Sequence, residues 1–164
     1  MLRHNQLMKN KTIAVWLTLL AGPLGLHRLY LHRRFDAISW MQLLPTLVGA
    51  YGLLRARGIG VDDHMSWLLI PWIGLSAAAA ALTAIVYGLM ETEKWNARFN
   101  PEGTPADTAG ASGWLTITGV VTALLMGATV LLSSLAFSFQ RYFEYQAEDA
   151  SVAVVAPDFR KSAG

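Results

Sequence analysis

The chain has 164 residues, of which 54% are hydrophobic and 15% charged, where a soluble domain carries about 25% charged residues. That composition excludes disorder for the bulk of the chain and argues against a soluble core. The net charge is only +2, and the basic residues sit between apolar runs instead of lining one stripe, so no nucleic-acid partner is expected. With no Cys there is no disulfide frame, thiolate metal site or Cys nucleophile.

Taken in chain order, a polar segment over 1–11 precedes the first uncharged run, 12–26. A helix needs about 20 apolar residues to cross the hydrocarbon. This run falls short unless it continues through Leu29, Tyr30 and Leu31 with Arg28 snorkelling to the headgroups. Ala21-Gly22-Pro23 is a poor cleavage site, so the run reads as a retained helix and not a signal peptide. A second run, 37–54, completes a helix hairpin over 12–54. A loop and third transmembrane helix occupy 55–90, with the uncharged run at 65–90. A polar linker follows at 91–112, read as loop because of Pro101, Gly103 and Pro105. The fourth transmembrane helix covers 113–140, and a polar tail, 141–164, extends it as helix to about residue 150 before loosening. The expected fold is therefore all-α, a polytopic membrane protein with four transmembrane helices. Trp40, Trp67, Trp72 and Trp114 near span starts, and Tyr142, Phe143 and Tyr145 after the last, match the preference of amphipathic rings for the headgroup zone. Trp16 breaks that pattern by falling inside the first run.

Small residues recur every four positions on two of these helices: Ala80, Ala84 and Gly88 on the third, and Gly119, Ala123 and Gly127 on the fourth. Such stripes let backbones approach closely where lipid removes the hydrophobic drive, so the third and fourth helices are expected to pack through them. Gly22, Pro23 and Gly25 are expected to loosen the end of the first helix, with Pro45 and Pro71 as further kink candidates.

The most specific string leads from the end of the first run into the first connection, 27–36. It runs Gly22-Pro23-Leu24-Gly25-Leu26-His27-Arg28-Leu29-Tyr30-Leu31-His32. This resembles the signature of the TM-two domain family, approximately Gly-x-x-Gly-x-His-Arg-Phe-Tyr-Leu-Gly. Gly22, Gly25, His27, Arg28, Tyr30 and Leu31 match; Leu29 replaces Phe and His32 replaces Gly. The resemblance covers about residues 10–54, and the stretch from Glu93 to Pro101 is similar to bacterial members with additional helices. It implies a membrane helix hairpin and a multi-pass protein of the cell membrane (the bacterial inner membrane for a bacterial member); it does not imply a reaction. The receptor-like Asp-Arg-Phe turn of animal members is His27-Arg28-Leu29 here. In physical terms Arg28, Arg33 and Arg34, with Asp36 to pair with one of them, are candidates for contact with anionic lipid headgroups or a protein partner.

No enzyme is expected. His27 and His32 lack zinc spacing. Asp62-Asp63-His64 reads as a helix cap and not a metal site. Gly110-Ala111-Ser112-Gly113 resembles the nucleophile motif of rhomboid intramembrane proteases but has no later His as base. No cofactor is implied. No charged residue interrupts the second, third or fourth run, which weakens a transporter reading. The expected role is an interaction or membrane-organising module, as a homo-oligomer or with a membrane protein partner, and the alternative is an oligomeric pore or small transporter. Four spans would put both termini on one side with the 55–64 loop. That side would carry Arg3, Lys9, Lys11, Arg55, Arg57, Arg141, Arg160 and Lys161, the basic excess that marks the cytoplasm.

Overall fold

The computed structural model describes residues 8–60, 62–102 and 108–162, the last eleven by backbone alone. Arg3, His4, Gly103 and Pro105 lie outside the described residues. Seven α-helices are present among the described residues, with no strand: α1 (Lys11–Ala21), α2 (Leu26–His32), α3 (Ala37–Ile59), α4 (His64–Leu69), α5 (Pro71–Leu89), α6 (Thr92–Phe99) and α7 (Trp114–Ser162). Three stretches are long and apolar enough to cross a membrane: α3, the joined α4–α5 over His64–Leu89, and the part of α7 within Thr108–Ser151.

Local chemistry sets the boundaries of these spans. Asp36 caps α3 by accepting from the Ser39 amide, and Asp63 caps α4 by accepting from the Ser66 amide, each satisfying an otherwise orphaned donor. Pro71 occupies the first position of α5, where its missing N–H costs nothing to α5 but interrupts the ladder arriving from α4. The two pieces nonetheless run on as one apolar stretch, with Ile70 between them still in the right-handed helical region. Close backbone approach holds α3 against it: a methyl on Gly49 would strike the Ile73 backbone, and one on Gly52 would lie 2.7 Å from the Leu69 Cβ. At the turn between them Arg55 Nε donates to Asp63 at 2.6 Å.

The first apolar run does not become a fourth spanning helix. Asn10 caps α1 with its side chain. The helix stops after 11 residues in a 3-10 turn over Gly22–Leu24, and Gly25 then reverses the chain at φ 74°. Only glycine adopts that left-handed conformation freely, and a Cβ there would press on Ser39 at 3.0–3.1 Å. α2 then climbs back along α1 until the Tyr30 hydroxyl accepts from the Asn10 amide at 3.0 Å. The turn reaches mid-depth, since the Pro23 carbonyl lies 2.7 Å from Thr46 Oγ1, itself 2.6 Å from Ser76 Oγ. Ser76 falls halfway along His64–Leu89. Residues 11–32 thus form a hairpin that enters the bundle and leaves by the same end. The expected continuation through Leu29–Leu31 fails because the Gly-Pro-Leu-Gly stretch turns the chain instead of merely loosening it.

The segment expected to be loop also differs. Residues 92–99 form α6, with Trp95 fully buried and Phe99 5% exposed. The aromatic pair four residues apart supplies one apolar face to an otherwise polar helix. Trp95 and Phe99 join Val15, Leu31, Ala84, Tyr87 and Ala123 in the core. Finally, α7 is 49 residues long, about 74 Å at 1.5 Å per residue. It therefore overruns a hydrocarbon layer of about 30 Å.

Candidate interaction face at the hairpin end

The end of the bundle where the hairpin enters is built from five chain segments. Lys9 and Asn10 lead into α1, α2 ends at His32, α5 ends near Met90, α6 lies across, and Ser112 precedes α7. Their joints are polar. Lys9 is clasped through its backbone: its amide donates to Asn100 Oδ1 at 2.8 Å, and its carbonyl accepts from Trp95 Nε1 at 2.9 Å and Asn100 Nδ2 at 3.1 Å. Lys11 is fully buried. Its ammonium donates to the Met90 carbonyl at 2.5 Å and to Ser112 Oγ at 2.9 Å, so a cation closes the C-terminal, negative end of α5. Thr12 and Thr116 share a hydroxyl hydrogen bond of 2.7 Å. Trp16 Nε1 donates to the Leu115 carbonyl at 3.1 Å, which accounts for an indole inside an apolar run: its polar edge faces a neighbouring helix start, not headgroups.

All six motif residues take part in the hairpin. Gly22 lets α1 touch α5, since a methyl there would come within 2.6 Å of the Ala80 Cβ. Gly25 makes the reversal, Leu31 is fully buried, and Tyr30 ties α2 to Asn10. His27 is 1% exposed and lies against the Tyr87 ring. Its Nδ1 has no hydrogen-bond partner among the described residues, nor has that of His32.

The charged residues of the turn divide into two groups. Arg28 engages Asp36 through both Nε and Nη2, with Nε at 2.8 and 3.0 Å from the two carboxylate oxygens. This fork-on-carboxylate geometry is the strong form of such a pair. Asp36 is also the α3 cap, and the Arg28 guanidinium, then the Ser39 donors, hold its carboxyl well below the usual range. Arg28 and Asp36 therefore latch α2 to α3. Arg33 and Arg34, by contrast, are exposed. Arg33 ends α2 at φ 51° with its amide on the Leu29 carbonyl, an uncommon conformation for a non-glycine residue.

The small-residue stripes do not mesh simply with each other. Ala80 meets Gly22, while Gly88 meets Val120 of α7 together with Val15 of α1. Gly119 faces Val15 and Trp16, and Gly127 faces Ala81. Ala84 and Ala123 are fully buried. α1 is thus wedged into the entrance of the α5–α7 seam, and deeper in the seam Gly74 lies against Ser134.

Sequence reading missed Lys11, Trp95, Phe99 and Asn100 as joints, and Thr46 and Ser76 as the seat of the turn. Trp95 and Phe99 carried a readable signal in their four-residue spacing. The others carried none. Among the described residues no group of three or more His, Cys, Asp or Glu could hold a metal. No protein-family model, curated protein or solved structure matches the chain.

Proposed function

We propose that this chain is a multi-pass protein of a cell membrane, of the TM-two type. In this reading it acts without catalysis, as an interaction or membrane-organising module. One observation carries the proposal. The spans keep most of their surface for lipid or a partner helix, with only 28%, 28% and 6% of their apolar windows buried within the chain. The hairpin meanwhile holds exposed Arg33 and Arg34 at one end of the bundle. A second copy or another membrane protein could cover the α7 flank, and anionic headgroups suit the basic end.

The orientation follows from three spans instead of four. Residues before Lys11 and residues after Gln140 then lie on opposite sides, which replaces the expectation of both on one side. The hairpin side gathers Arg3, Lys9, Lys11, Arg28, Arg33, Arg34, Lys94 and Arg98, eight of the 13 Lys and Arg in the chain. By the positive-inside rule that side is cytoplasmic. The test has two parts. Carbonate washing should leave the protein in the membrane. Green fluorescent protein fused before Lys11 should be bright, and alkaline phosphatase fused after Gln140 active. Release by carbonate sinks the membrane reading, and an inactive phosphatase fusion sinks the orientation. A photocrosslinker at Arg34 should capture a membrane partner or a second copy, and capture of lipid alone would remove the protein-interaction half.

A specific observation favours a second reading, a pore or small transporter formed by an oligomer. The Pro23 and Gln42 carbonyls and the Thr46 and Ser76 hydroxyls converge at mid-depth, where carriers with interrupted helices place their sites. Ion flux through proteoliposomes that disappears in Thr46→Val would favour it, and absence of flux would dismiss it.

A further inference from the structure

The hairpin brings together basic side chains that are far apart in sequence. Lys9 precedes α1, His32 and Arg33 end α2, and Arg98 lies in α6. Phe99 lies beneath two of them: the His32 ring packs edge-on against it at 5.9 Å, and the Arg98 guanidinium lies over it at 5.6 Å. Asn100, the next residue, grips the Lys9 backbone from both sides. Lys9 and Arg33 are near enough that the Arg33 charge, after burial, lowers the Lys9 ammonium from its ordinary value. His32 is lowered by burial first, and then by Arg28, against Asp36, with Lys9 and Arg98 adding to the depression.

These like charges are uncompensated. Asp36 is engaged by Arg28, and Glu91 pairs with Lys94 at 3.0 Å. Among the described residues no carboxylate forms an ion pair with Lys9, Arg33 or Arg98. Arg33 and Arg98 are exposed and Lys9 is half-buried. The part-buried Lys9 backbone clasp and the Arg28–Asp36 latch hold the segments that carry these charges at one end of the bundle. Such a cluster lowers its energy by taking up an anion. It sits where α1, α5 and α7 meet the end of the apolar bundle, at headgroup level if the spans cross a bilayer.

We propose that Lys9, Arg33 and Arg98 form a binding site for the phosphate of an anionic phospholipid, with Phe99 and His32 as its floor. The proposal rests on the membrane reading above and names the partner of its basic end.

The test uses the full chain purified in detergent and mixed with phosphatidylglycerol and phosphatidylcholine. Bound lipid is counted by native mass spectrometry. The wild-type protein should retain phosphatidylglycerol over phosphatidylcholine. Lys9→Gln, Arg33→Gln and Arg98→Gln should each lower that preference by about five-fold, as expected for a basic residue near a lipid surface, and the triple variant should abolish it. Arg57→Gln, at the other end of the bundle, should leave it intact. Excess inorganic phosphate should not displace the lipid. Equal retention of the two lipids by wild-type protein, an unchanged triple variant, or an equal loss in Arg57→Gln would each overturn the site. Displacement by inorganic phosphate would overturn the lipid as its occupant. Circular dichroism melts of the variants separate loss of binding from loss of fold: lost preference in a variant that melts like wild type supports the site, and preference kept in a melted variant overturns it. Carbonate release, measured separately, would instead mark failure of the membrane reading.

Discussion

The N-terminal hairpin and α7 solve the same problem in opposite ways. Folded back on itself, the hairpin over 11–32 has no helix longer than the 11 residues of α1, too short to cross a bilayer, and it is held by directed contacts: Lys11 on Met90 and Ser112, Thr12 on Thr116, Trp16 on Leu115, Tyr30 on Asn10, Pro23 on Thr46. The described hydroxyls of α7 beyond its first turn mostly bond their own helix, as Thr118 does to Trp114, Thr122 to Thr118, Ser134 to Val130 and Ser138 to Ser134. Its outward Leu124, Leu125 and Leu132 are 59–64% exposed. A long apolar helix is placed by the thickness of its solvent; a short one must be placed by its neighbours. Substitutions should therefore be costly in the hairpin and its supports and nearly free on the outer face of α7.

The largest effect should come from Trp95→Ala. The indole is fully buried and donates to the Lys9 carbonyl, so truncation should cost about 3–5 kcal/mol, read as a lower thermal midpoint in detergent. A loss under about 1 kcal/mol would mean that α6 is not a support of the hairpin. Gly22→Leu comes next. Its Cβ would lie 2.6 Å from Ala80, and overpacking of that kind costs about 1–3 kcal/mol. Ala80→Gly in the same background should recover part of it, and no recovery would place the clash elsewhere.

These two effects also mark what was legible in the sequence. Three membrane-length apolar helices were readable because uniform apolar composition over a fixed length is a one-dimensional property. The hairpin was not. Arg28 read equally well as a snorkelling flank, and only its pairing with Asp36, eight residues on, shows that the chain has already turned. Lys11 read only as one basic residue at the end of the polar segment 1–11, since nothing local reveals that Met90 and Ser112 will meet it. The turn-forming glycines were noticed, but a kink and a full reversal have the same composition. On the candidate face, Arg33 and Arg34 were readable from clustering, whereas Lys9 and Arg98 join them only through folding.

A smaller effect should appear in acid. The Arg28 partnership holds Asp36 below the ordinary carboxylate range, and Arg55, then Ser66, hold Asp63 down to about 2. A carboxyl depressed in the folded state contributes stability that is fully present above its unfolded value, near 4. That contribution falls away as pH drops through the folded one. Melting temperature should be flat from neutral pH to about 5 and decline below about 4, with a shallower decline in Asp36→Asn. Equal slopes would show that the latch does not differ between folded and unfolded chains. The smallest effect should be Leu125→Ala on α7. The side chain is 64% exposed, and the change should stay within about 0.5 kcal/mol. A larger loss that depends on protein concentration would reveal that α7 is covered by a second copy.

The directed contacts of the hairpin have a consequence for biogenesis. Lys11 bonds to residues 79 and 101 positions later, and Thr12 to one 104 later. None of these partners exists when the first apolar stretch leaves the ribosome, and that stretch is too short to partition stably into lipid alone. Residues 11–32 should accordingly settle after the helices that follow them, waiting at the membrane surface until α5 and the start of α7 are in place to receive them. Truncated nascent chains ending before residue 112 should leave an engineered Cys at Val15 open to a water-soluble thiol reagent, and chains ending beyond residue 140 should protect it.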